Sequence, residues 1–155
     1  MATYSPSVRE HHVAVLTYLR NGSPAGFPVY DSTVEPYTWG ATSHGQPTVD
    51  PDGRMHPYAV MYSEVGRSLP VALEGISTAL RWGFTVICVG GDENRCLWAV
   101  DTVVRVLVDA EVSVAGRDPV LVRQEIASPS PRRDDDIKPP RLFVPVFFRA
   151  DSQAA

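Results

Sequence analysis

Residues 80–92 read Leu80-Arg81-Trp82-Gly83-Phe84-Thr85-Val86-Ile87-Cys88-Val89-Gly90-Gly91-Asp92. In an extended chain, Trp82, Phe84, Val86 and Cys88 share one face, and Thr85, Ile87 and Val89 share the other. Both faces are largely apolar, so a strand over 80–89 is expected in the middle of its sheet. Gly90-Gly91 ends it, and Asp92 is placed to cap a helix reaching about residue 109. Along that helix Leu97, Val100, Val104 and Leu107 form a buried stripe, widened by Trp98, Val103 and Val108. Its β-branched residues are poor helix formers, so packing must hold it.

Further strands lie outward on both sides. Residues 57–65 alternate, with Tyr58, Val60 and Tyr62 on one face and Ala59 and Met61 on the other. Residues 120–126 alternate as well. The last strand, 141–149, contains Pro145, which cannot donate to a ladder, so that strand is expected to be bulged or at an edge. The first element is a helix over 7–20, with Val8, His12, Val15, Leu16 and Leu19 on one face; Pro6-Ser7 suit its start and Asn21-Gly22 its end. A short strand is read over 28–34. Residues 35–56 are loop-like, rich in Gly and Pro, and carry Tyr37 and Trp39. Residues 66–75 and 128–140 are irregular connections, and 151–155 form a loose tail. The fold class is therefore α+β: one domain over 1–150, with a mainly antiparallel sheet of about four to five strands, two principal helices packed on it, and long loop insertions.

Composition narrows the function. The chain has 155 residues, 44% apolar and 21% charged, with a net charge of −4. That is ordinary globular composition, long enough to bury a real core. No basic patch of the kind nucleic-acid binders carry is visible: Arg132-Arg133 is followed at once by Asp134-Asp135-Asp136. Cys88 and Cys96 lack metal-ligand spacing and read as small buried hydrophobes. The N-terminus has no apolar core of a signal peptide, and no run is long enough to span a membrane.

Candidate chemistry is sparse. Val89-Gly90-Gly91-Asp92 joins a strand to a helix, where phosphate loops occur, but the glycine spacing of such loops is missing and Asp92 is negative. A tight turn with an N-cap is the expectation. His11 and His12 are adjacent on a helix and face different ways, while His44 and His56 sit in or beside the long loop; no metal framework results. Asp134-Asp135-Asp136 lacks the spacing of a calcium loop and reads as a solvated charge run. No nucleophile elbow is present. The expectation is a protein without an enzyme active site, cofactor or metal. The aromatics of the last strand invite a different reading: if it is an edge, Phe143 and Phe147 need cover, which a neighbouring subunit can supply.

Four segments carry a resemblance. They are Pro57-Tyr58-Ala59-Val60-Met61-Tyr62; Trp82-Gly83-Phe84-Thr85-Val86-Ile87-Cys88-Val89-Gly90-Gly91; Leu97-Trp98-Ala99-Val100-Asp101-Thr102-Val103-Val104-Arg105-Val106-Leu107; and Pro139-Pro140-Arg141-Leu142-Phe143-Val144-Pro145-Val146-Phe147-Phe148-Arg149. In order and texture, residues 57–150 resemble the tail terminator proteins of long-tailed (siphovirus-type) bacteriophages, particularly those of actinobacterial hosts. The resemblance implies a structural protein of the virion, assembled in the host cytoplasm. It would form a ring with itself, a hexamer, that caps the tail tube protein, stops polymerisation and joins the head–neck connector protein. DNA would pass through the ring without specific binding, and no membrane would be involved. Under that reading Tyr37, Trp39, His44, Arg132, Arg133, Asp134, Asp135 and Asp136 are the candidate tube or neck contacts, and Phe143, Phe147 and Arg149 the candidate subunit contacts. The alternatives are a head–tail connector or head-closure protein of the same virion, or a small α/β ligand-binding protein or enzyme with its site at Gly90-Gly91-Asp92.

Overall fold

The computed structural model describes residues 7–32, 47–64, 67–68 and 79–153. The chain opens with helix α1 (Val8–Gly22), whose first turn is closed by the Ser7 hydroxyl accepting from the Glu10 amide at 3.2 Å. Strands β1 (Val29–Asp31), β2 (Tyr58–Ser63), β3 (Arg67–Ser68) and β4 (Leu80–Gly90) follow. Helix α2 (Glu93–Leu107) is capped by Asp92, and then come β5 (Glu111–Val112), β6 (Val120–Gln124), β7 (Arg132–Asp134) and β8 (Arg141–Ser152).

Among the described residues, all eight strands join one sheet. Its main order is β1-β2-β4-β8-β6-β5, with β3 beside β4 and β7 beside β8. Among the described strands, β1 and β2 pair in parallel and the other pairs are antiparallel. The fold is thus α+β with a mainly antiparallel sheet, and the described residues hold two helices and eight strands where four to five strands are expected. The added ones are short. β5 and β3 have two residues each, and β7 lies inside the stretch read as an irregular connection. It pairs Arg132, Arg133 and Asp134 with Phe143, Leu142 and Arg141 of β8.

β4 is central as expected, and the alternation puts Trp82, Phe84, Val86 and Cys88 on the helix side. There Phe84 stacks on Trp82 at 4.8 Å and on Phe148 at 5.2 Å between centroids. α1 adds Val15, Leu16 and Leu19 to this core, and α2 adds Cys96, Ala99, Val103 and Leu107. The two helices touch where Gly22 meets Val106: a methyl at Gly22 would lie 2.7 Å from Val106 Cγ1.

Three expectations are corrected. The buried stripe of α2 is centred one residue earlier than read. Cys96, Ala99, Thr102, Val103 and Leu107 face inward, while Leu97 and Trp98 are 44% and 43% exposed. Small residues win because α2 lies close to the sheet: a Cβ on Gly90 would collide with the Cys96 amide, and Cys96 Sγ sits 3.5 Å from the Cys88 carbonyl. Trp98 is displaced to the rim, edge-on to Phe27 at 5.5 Å. Second, β8 is interior, flanked by β4 on one side and by β6 and β7 on the other. Pro145 is tolerated there for a local reason. The Phe147 carbonyl accepts from the Glu125 amide at 2.9 Å, so backbone groups of alternate residues, position 145 included, turn toward the β6 and β7 side. β6 covers residues 148–151 and β7 covers 141–143. Position 145 falls in the gap between them, where no ladder bond is lost. Third, Asp151 and Ser152 belong to β8 rather than to a loose tail, and Ser152 is 2% exposed.

Candidate functional site

The second face of the sheet holds a smaller cluster. Tyr30, Met55, Tyr58, Val60 and Val89 are buried there, with Ile87 and Phe143 packed against them. Tyr30 meets Tyr58 edge-on at 5.6 Å, and Arg141 donates from Nη1 to the Tyr58 hydroxyl at 2.8 Å. The register extends the surface across three strands. One row runs Val60, Ile87, Pro145 and the next runs Tyr62, Thr85, Phe147. Ile87, Pro145 and Phe147 are half-buried, and Tyr62 is 41% exposed.

Below these rows the face becomes basic. Arg149 lies opposite Arg123, an arrangement of like charges that costs cross-strand stability. Arg81 and Arg149 both reach toward Asp151, at 3.2 and 4.0 Å, and Arg123 reaches Asp109 at 3.6 Å. Of the expected subunit-contact residues, Phe143, Phe147 and Arg149 therefore share this face, with Phe143 the one tied into the cluster. Of the expected tube or neck residues, Arg132, Arg133 and Asp134 form β7. Arg133 donates to Asp135 at 2.5 Å, and the Asp136 amide donates to Asp134 at 3.1 Å. Tyr37, Trp39 and His44 lie outside the described residues.

The turn at Gly90-Gly91-Asp92 is occupied by the chain itself. Residues 48–56 form a small hairpin around a Val49–Met55 bridge, with its turn made by Gly53 at φ +79°. The Gly91 amide donates to the Met55 carbonyl at 3.0 Å, and Arg95 donates to the carbonyls of Arg54 and Met55 at 3.2 Å each. Arg95 also pairs with Asp50, and Arg54 approaches Asp92 at 3.4 Å. The Arg95 hydrogen bond, reinforced by the Arg54 amide, holds the Asp50 carboxyl below its usual range. Asp92 accepts from the Arg95 amide at 2.8 Å, which is the expected N-cap. A Cβ on Gly91 would run into the hairpin backbone, so the glycine admits the hairpin rather than a phosphate.

Cys88 and Cys96 are free, buried thiols. Burial raises both, Cys96 to about 11, which leaves neither poised as a thiolate.

The adjacent histidines do face different ways, and each ties α1 to the sheet. His11 is 1% exposed, with Nδ1 2.6 Å from the Ser7 carbonyl and Nε2 2.7 Å from Ser152 Oγ. Arg117 Nε donates to the same hydroxyl at 2.8 Å. Burial lowers the His11 pKa and Arg117 lowers it further, against the pull of the Ser7 carbonyl and Glu10. His12 stands between Asp31 and Ser63, hydrogen-bonded to both. Sequence reading missed this grouping because its members lie 19 and 51 residues from His12. The adjacent histidines at a helix start were its only sign. His56 lines an open groove with Phe27, Thr48, Pro57 and Trp98.

Among the described residues no group of three or more His, Cys, Asp or Glu side chains is placed to hold a metal ion. No described helix is long and apolar enough to cross a membrane. No protein-family model matches the chain, and no curated protein does. One of the solved structures that this chain resembles aligns at TM-score 0.53 and 18% identity over 97% of this chain and 99% of that one. It shares the fold.

Proposed function

We propose that the protein is a phage tail terminator, a ring-forming structural protein that caps the tail tube, stops its polymerisation and provides the joint to the head–neck proteins. The sequence resemblance over residues 57–150 supports this. The structural observation that carries it is the pair of dissimilar apolar surfaces on opposite layers. One is the sheet face of Tyr62, Ile87, Pro145 and Phe147, bordered by Arg81, Arg123 and Arg149. The other is the exposed Leu97 and Trp98 on α2, flanked by exposed Glu93 and Asp101. A closed ring is built from heterologous contacts, which need two different patches on each subunit. Exposed apolar surface of this kind marks protein contacts. In this reading Phe143, Phe147 and Arg149 serve the subunit contact, and residues 132–136, with Tyr37, Trp39 and His44, meet tube or neck. DNA passes through the hole of a weakly acidic ring that does not grip its phosphates.

Light scattering across a concentration series, with and without purified tail tubes, tests this. A mass near six subunits, or capping of tubes at one end, is the expected result. A strict monomer that ignores tubes overturns the proposal. Binding to neck proteins with no effect on tubes replaces it by the head-closure reading.

A further inference from the structure

His12 sits on α1 between two side chains of the sheet. Its Nε2 is 2.7 Å from Asp31 Oδ1, at the end of β1, and its Nδ1 is hydrogen-bonded to the hydroxyl of Ser63, the last residue of β2. An ionised carboxylate only accepts, so Nε2 carries the proton and donates to Asp31. In the neutral imidazole Nδ1 is then a bare lone pair, and it faces the Ser63 hydroxyl. A base within hydrogen-bond reach of a hydroxyl, itself oriented by a carboxylate, is the arrangement that activates serine; it is recognised by geometry rather than by chain order. Two more observations belong to the same spot. Ser32, whose hydroxyl donates to Asp31 at 3.3 Å, has φ +62°, a costly conformation for a residue other than glycine and one that clusters at functional sites. The His12 side chain is 14% exposed while Ser63 is open to solvent, so the base is shielded and the hydroxyl is accessible.

We propose that Ser63 is an activated nucleophile that takes acyl groups from small carboxylic esters, with His12 as its base and Asp31 as the positioning residue for that base. Ser63 Oγ adds to the ester carbonyl carbon as its proton passes to His12 Nδ1. The carbon–oxygen bond to the alcohol breaks, and His12 returns the proton to the departing oxygen. Water then attacks the acyl-serine with His12 again taking a proton, which restores Ser63 and releases the acid. The activity is independent of ring assembly, because Ser63, His12 and Asp31 belong to neither surface assigned to the subunit contact.

A fluorophosphonate ester is the first probe. The Ser63 oxygen–phosphorus bond forms, the phosphorus–fluorine bond breaks, and fluoride leaves. The expected result is one phosphonyl group per chain by intact mass, mapped to Ser63 by peptide mass and absent from Ser63→Ala. Labelling should slow about a hundredfold in His12→Gln. Asp31→Asn should slow it in protein that is still folded by circular dichroism, with part of the rate restored by Asp31→Glu. p-Nitrophenyl acetate hydrolysis should follow the same order. No adduct on the unmutated protein, an adduct on another residue, or full labelling in a folded His12→Gln overturns the proposal.

Discussion

Phe148 and Phe147 are neighbours in sequence with opposite surroundings. Phe148 is fully buried and stacked on Phe84, whereas Phe147 is half-buried on the second face. Phe148→Ala should lower unfolding free energy by about 3–5 kcal/mol, read from urea melts. Phe147→Ser should cost far less stability and instead lower the mass of the assembled species in light scattering. Equal loss of stability in both would contradict the two-face account. His11 makes a second residue-scale prediction. Burial, then Arg117, lower its pKa from 6.5, so the unfolded chain binds more protons than the folded one as pH drops below that value. Stability should therefore hold above pH 6.5 and fall between the unfolded and folded pKa values. Urea midpoints from pH 8 to pH 5 should show this slope, and His11→Gln should flatten it in that window.

At the scale of elements, α2 depends on its cap and on the hairpin docked beside it. Asp92→Ala should cost about 1 kcal/mol and Asp92→Asn less, measured by chemical denaturation. Asp50 is a carboxylate held low by Arg95 and the Arg54 amide, so its contribution is present above the ordinary value of 3.8 and lost as pH falls through its folded pKa. Amide exchange in residues 48–56 should accelerate in Asp50→Asn at neutral pH while the β4–β8 amides stay protected. The legible elements were those whose own pattern sufficed. β4 announces itself through two apolar faces, and α1 and α2 through caps and periodicity. The phase of α2 was misread because Leu97 and Trp98 weigh more in a hydrophobic stripe than Cys96 and Ala99, although the close approach of Gly90 favours the small pair. β7 was hidden because Arg132-Arg133-Asp134 has no alternation of its own and pairs only where β8 offers an edge. Pro145 suggested a sheet edge because the gap between β6 and β7 is a property of two other strands. The site was less legible than the fold. The shared face of Phe143, Phe147 and Arg149 follows from period two, but His12, Asp31 and Ser63 meet only through tertiary contact.

For the whole molecule, the two surfaces invoked for assembly lie on different layers, so disrupting either should have the same effect. Trp98→Asp on the helix layer and Phe147→Asp on the sheet layer should each yield monomers by light scattering. If the contact is heterologous, an equal mixture of the two variants should form pairs through the one intact patch each retains, and stop there. A variant mixture that rebuilds full rings would contradict that geometry. One further consequence comes from the contact of His11 with Ser152. The start of the first helix and the end of the last strand occupy one corner of the subunit, where the Ser152 hydroxyl meets both His11 and Arg117. Ser7 and Gln153 can therefore be bridged by a short peptide and the chain reopened between residues 126 and 130, beyond β6 and before β7. Every strand pair would survive such a circular permutation, and a label carried at the new opening would leave the subunit from beside β7 instead of from the histidine corner.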